Sequence, residues 1–135
     1  MATIALMTAE RIEIVESREQ ATLPTAEAIT AGAPVRIDTN GKFVNGNGTT
    51  STEADINGIA TPTAGSGLPV TAVRKGVLDG FALSGLAYGA AVYVSDTDAR
   101  LDTTAGTVSV VVGEVIPAWG QPLGTAADKL LRADL

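Results

Sequence analysis

The chain has 135 residues and a formal net charge of −6, from nine Lys+Arg against fifteen Asp+Glu, with no Cys and no His. That length suits one domain with a real core. The missing residue types remove disulfides, thiolate chemistry, the usual general base and the commonest metal ligand. The acidic balance also argues against nucleic acid, whose affinity comes from a clustered basic face, and Arg74-Lys75 is the only adjacent basic pair.

Residues 1–23 read as an N-terminal arm. Its first run, Met1 to Met7, lacks a basic leader and soon meets Glu10 and Arg11, so no signal peptide is expected there. No later run is long enough to cross a bilayer, and the expectation is a soluble protein made in the cytoplasm. Ile12, Ile14 and Val15 sit among Glu10, Arg11, Glu13 and Glu16, an alternation that favours a strand. Ile4, Leu6, Ile12, Ile14 and Val15 are the candidate partner contacts of this arm. It either docks on another protein, by adding a strand or packing along it, or forms an edge strand of its own domain.

Leu23-Pro24 ends the arm, and residues 24–135 form one β-rich domain. Val35–Ile37 is a strand, Asp38-Thr39-Asn40-Gly41 carries the Asn-Gly signature of a hairpin turn, and Lys42-Phe43-Val44 returns. Asn45 to Thr52 is polar and Gly-rich, a mobile surface loop by composition. Ile56–Thr61 and Val70–Leu78 are strands, the second with Val73 and Val77 inward, and Pro62–Pro69 is a loop between them. Val92–Val94 and Val108–Val112 follow as strands around a segment dense in Asp, Thr and Gly, and Val115-Ile116 is a shorter apolar pair stopped by Pro117. Trp119 plugs one end of the fold or makes a subunit contact, which adds it to the candidate partner residues. In Thr125–Leu135, Ala127, Leu131 and Leu135 share one helical face, so a short C-terminal helix or a packed tail is expected.

The chain repeats itself. Ala31-Gly32-Ala33-Pro34-Val35-Arg36-Ile37-Asp38 aligns with Tyr88-Gly89-Ala90-Ala91-Val92-Tyr93-Val94-Ser95. A polar turn and a cation beside an apolar residue follow each, Lys42-Phe43 and Arg100-Leu101. Ile56-Asn57-Gly58-Ile59-Ala60 then loosely matches Val112-Gly113-Glu114-Val115, a Gly preceding an apolar residue in each. Two related strand–turn–strand halves, about residues 30–61 and 87–116, imply a mainly β fold, a small barrel or sandwich.

Candidate chemistry is thin. Asp38-Thr39-Asn40-Gly41 is similar to an aspartic-protease turn, but that site needs two such aspartates and the second copy, Asp96-Thr97-Asp98-Ala99, lacks the Gly. Asp96, Asp98 and Asp102 are spaced like calcium ligands, yet Leu101 and Thr107 stand where an EF-hand loop needs Gly and Glu, which leaves at most a weak surface cation site. Gly46-Asn47-Gly48 lacks the Lys and helix of a phosphate loop. No enzyme, cofactor or metal centre is expected.

The succession Ala72-Val73-Arg74-Lys75-Gly76-Val77, Leu86-Ala87-Tyr88-Gly89-Ala90-Ala91-Val92-Tyr93-Val94-Ser95, Thr103-Thr104 and Val111-Val112-Gly113-Glu114-Val115-Ile116 resembles the capsid decoration, or cement, proteins of tailed bacteriophages. The resemblance covers about Gly32 to Pro117. Ala33 and Ala90 stand where that family usually has Asp or Glu. It implies a structural virion protein on the outer surface of the expanded capsid, bridging major capsid protein subunits. It also implies a homotrimer at three-fold or quasi-three-fold positions, with no contact to nucleic acid or membrane. A tail or fibre module and a free-standing β-barrel for a small ligand or glycan share the same strand grammar.

Overall fold

The computed structural model describes residues 3–6, 12–83, 85–117 and 129–135. They form nine strands: β1 (Glu13–Pro24), β2 (Pro34–Ile37), β3 (Phe43–Asn45), β4 (Gly58–Thr61), β5 (Pro69–Asp79), β6 (Ala91–Val94), β7 (Leu101–Asp102), β8 (Val111–Pro117) and β9 (Lys129–Asp134). All belong to one sheet ordered β3-β2-β4-β5-β9-β8-β6-β7, with β1 added along β5, and the sheet curls into a half-barrel. The mainly β expectation holds.

The repeat is the plan of the sheet. β3-β2-β4-β5 on one side corresponds to β7-β6-β8-β9 on the other. The register matches: Pro34 and Val35 oppose Ile59 and Gly58, as Ala91 and Val92 oppose Glu114 and Gly113. Outside the ladders the same hydrogen bonds recur. Gly32 N–H donates to the Ala60 carbonyl at 2.8 Å and Gly89 N–H to the Val115 carbonyl at 2.7 Å, and both glycines have positive φ, 89° and 84°. A residue with a Cβ is disfavoured in that left-handed region, so the sequence keeps Gly at both places. At the hairpin tips the rule is broken once. Gly41 has φ 78°, whereas its counterpart Ala99 is held at φ 60°.

Each half wraps its own core. Val35, Phe43, Ala60 and Ala72 lie in a smaller cluster with Ile29 and Val70. Their counterparts Val92, Leu101, Val115 and Leu131 lie in the larger one. The larger core also takes Ile59 and Val73 from the other face of the first half. Glu114 and Arg132 occupy those two positions in the second half, where they form an ion pair on an open face.

β5 makes this arrangement possible. β1 follows it from Asp79 to Pro69, β4 pairs with Thr71–Val73 and β9 with Lys75–Leu78. A strand has two edges, so β4 and β9 share the one that β1 leaves. Between the Gln20–Val73 and Glu19–Lys75 pairs the register skips Arg74, a β-bulge. The extra residue reverses the alternation of faces: Ala72 points into the smaller core and Leu78 into the larger.

Several boundaries and elements differ from the sequence reading. Of the C-terminal segment expected as a helix or packed tail, residues 125–128 lie outside the described residues, and Lys129–Asp134 is not a helix but a strand with a partner on each side. Leu131 and Ala133 point into the core while Arg132 and Asp134 are exposed, and two ladders outweigh the helix preference of Leu and Ala. The second-half strand starts at Val111 instead of Val108 and runs through Val115-Ile116 to Pro117, and β4 starts at Gly58 instead of Ile56. The Gly-rich stretch after β3 is pinned to the second half. Gly48 N–H donates to the Ser95 carbonyl at 2.8 Å, and the Gly48 carbonyl accepts from Val108 N–H at 2.7 Å. Trp119 lies outside the described residues.

Candidate partner-binding surface

The apolar residues of the arm are mostly turned inward. Ile4 is 4% exposed and Ile12 6%, both within the larger core, and Leu6 and Ile14 pack against it. Ile4 N–H donates to the Leu101 carbonyl at 2.9 Å, and Ala82 N–H to the Ala5 carbonyl at 2.9 Å, so residues 3–6 cover the end of the sheet at β7. Gly32 makes room for them. A Cβ there would stand 3.0 Å from Leu6 Cδ2 and 3.4 Å from Ile12 Cδ1. Of the five arm candidates, Val15 alone is an exposed large hydrophobic, at 42%. Ile4, Leu6, Ile12 and Ile14 therefore come together as one packing surface, but inside their own domain.

β1 is a strand of that same domain, exposed along most of its length. Its register with β5 slips at Val15 and again at Arg18, each an extra residue on β1. Bulges and charged side chains make an edge a poor template for another strand. The strand-addition mode expected for the arm thus has an irregular, charged edge to work with, carrying Glu16, Arg18 and Glu19.

The open face of the second half is charged and internally balanced. Arg18 Nε lies 3.0 Å from Glu16 Oε1, Lys75 Nζ 2.9 Å from Asp134 Oδ1, and Arg132 pairs with Glu114. Arg74 meets Glu19 at 3.2 Å beside them. Exposed pairs of this kind add little stability, but they leave no concentrated field of either sign. A cleft of about 330 Å³ opens here between Glu16, Lys75, Val77, Ile116 and Arg132. The Lys75 hydrogen bond holds the Asp134 carboxyl below its ordinary value.

The carboxylates singled out by spacing are spent on turns. Asp96 accepts from Thr107 N–H at 2.8 Å and from its hydroxyl at 2.7 Å. Asp98 accepts from Asn47 Nδ2 at 3.1 Å. Asp102 is fully buried and accepts from the Ser95 hydroxyl and from Thr104 N–H. Among the described residues no group of three or more acidic side chains is placed to hold a metal, so the calcium-like spacing does not become a site. Asp38 accepts from Asn40 N–H at 2.8 Å and Lys42 N–H at 3.0 Å, closing the first hairpin. The Lys42 backbone bond, followed by that of Asn40, holds the Asp38 carboxyl below its ordinary 3.8. The protease-like Asp-Thr turn is a hairpin turn.

Tyr88 is 42% exposed, and Lys129 Nζ stands over one face of its ring, 5.3 Å from the centre. Sequence reasoning missed the joint between the two halves, where Gly46, Asn47 and Gly48 meet the turns around Ser95–Ala99 and Val108. The signal is the Gly-Asn-Gly spacing, which suits a mobile loop by composition and here serves close approach. No protein-family model, curated protein or solved structure matches the chain.

Proposed function

We propose that this chain is a structural virion protein that binds the outside of an expanded phage capsid. It bridges major capsid subunits as a homotrimer at three-fold or quasi-three-fold positions. The observation that carries the reading is the repeated motif. Of the residues behind the resemblance to decoration proteins, Ala91–Val94 and Val111–Ile116 lie in β6 and β8 and Ala72–Val77 in β5, while Leu86–Ala90 and Thr103-Thr104 lie in the turns between strands. The first-half counterparts of β6 and β8 are β2 and β4. A ligand that binds the assembled shell and not its free subunits stabilises the shell by linkage, so the function needs surface and affinity but no reactive group.

Because the arm's apolar side chains are tucked in, the docking surface proposed is Val15 together with the open face of β1, β5, β9 and β8. Co-sedimentation of the full chain with expanded heads that lack it tests the reading. Saturable binding, weakened by Val15→Asp and unaffected by Leu68→Asp, supports it; Leu68 is a still more exposed apolar residue elsewhere on the chain. No sedimentation with heads, by a chain that circular dichroism shows to be folded, rejects it in favour of a tail or fibre module.

A further inference from the structure

We infer that Gly46–Gly48 is a strap that governs whether the N-terminal segment, residues 3–6, is seated. Four contacts tie this short stretch of the first half to the turns of the second. The Gly46 carbonyl accepts from Ala99 N–H at 2.9 Å, and Asn47 Nδ2 donates to Asp98 at 3.1 Å. Gly48 is bonded on both sides, to Ser95 and to Val108. The fit is close: a Cβ on Gly48 would stand 3.0 Å from Asp96 Oδ1 and 3.2 Å from the Val94 carbonyl.

Ala99 is where the strap acts. A left-handed alanine persists when its surroundings over-determine it, and the bond to Gly46 is one of those constraints. Two residues further on, the Leu101 carbonyl is the acceptor for Ile4 N–H. β7 is only two residues long, so the turn that precedes it sets where that carbonyl points. Strap, Ala99 turn, β7 and N-terminal segment thus form one mechanical series. Opening the strap lets the turn relax, moves the Leu101 carbonyl and unseats Ile4 and Leu6, the two large apolar side chains of residues 3–6. The coupling is independent of the capsid reading. If that reading holds, the strap also decides when this segment is available to a neighbour.

Amide hydrogen exchange on the full chain tests it. In Gly48→Val the Ile4 amide exchanges at least tenfold faster, while Ala21 and Ala72, in the β1–β5 ladder, keep their wild-type rates. If Gly48→Val loses protection everywhere, Asn47→Ala is read on the same amides, with the same direction expected. Coupling between two sites is reciprocal, so Ile4→Ala must also speed the Gly48 amide. Unchanged Ile4 protection in a folded strap variant overturns the inference, as does a Gly48 amide indifferent to Ile4→Ala.

Discussion

Gly113 has almost no room for a methyl group. A Cβ there would lie 1.9 Å from the Arg132 carbonyl oxygen and 2.8 Å from its carbon, all backbone. Real Cβ atoms keep 3.0 Å or more from such neighbours, so Gly113→Ala forces β8 and β9 apart by over an ångström. That separation breaks the Gly113–Ala133 and Glu114–Arg132 pairings and loosens Val115 against Leu131. Two or three ladder hydrogen bonds at ~1 kcal/mol each, plus packing lost in the core, give a cost of roughly 3–5 kcal/mol. For a 135-residue chain each kcal/mol lowers the midpoint by about 3–4 °C, so Gly113→Ala should melt ~10–18 °C early. Its counterpart Gly58 is less crowded, with contacts of 2.8–2.9 Å, and should cost less. Gly41 has nothing within 4 Å of a Cβ, so Gly41→Ala meets only the left-handed backbone penalty, about 1 kcal/mol. Thermal unfolding followed by circular dichroism orders the three. A Gly113→Ala protein as stable as Gly41→Ala would refute both the β8–β9 register and the equivalence of the halves.

Truncation in either core should destabilise: Phe43→Ala by roughly 3–5 kcal/mol and Leu131→Ala by roughly 2–5 kcal/mol, read from urea midpoints. The folded Asp38 carboxyl is depressed below 3.8, so its contribution is present above that pH and lost as pH falls through the folded value. Amide exchange at Asn40 and Lys42 should accordingly rise below that pH, and in Asp38→Asn the acid dependence should disappear. Lys75→Ala removes an exposed ion pair and should leave the melting midpoint within experimental error, as expected of solvent-screened pairs.

The sequence made the strands visible where β-branched residues cluster and Gly or Asn-Gly closes the turn, as at Val35–Ile37, Val92–Val94 and Val70–Leu78. Residue-by-residue alignment of Ala31–Asp38 with Tyr88–Ser95 showed that the fold has two halves. What it hid was tertiary. Leu130-Leu131-Arg132-Ala133 is as good a helix as a strand by propensity, and only the partners on both sides decide. The stretch 45–52 is polar and Gly-rich whether it floats or is clamped, because glycine serves flexibility and close approach equally. The arm's apolar residues announced burial but not against whom, and the pocket around Gly32 is the answer. The partner surface stayed least legible, since exposed charge pairs such as Lys75–Asp134 look alike on any solvated sheet.

The single extra residue at Arg74 has a consequence for how this chain can vary. Its side chain is half in solvent and reaches Glu19, so replacement should be tolerated widely. Its presence is another matter, because it turns Val70 and Ala72 toward one core and Leu78 toward the other. Deleting it would face one half of β5 the wrong way, turning Leu78 out of its core and Lys75 toward it. Position 74 is therefore free in identity and fixed in existence: drift can rewrite the residue there, but not its place in the count.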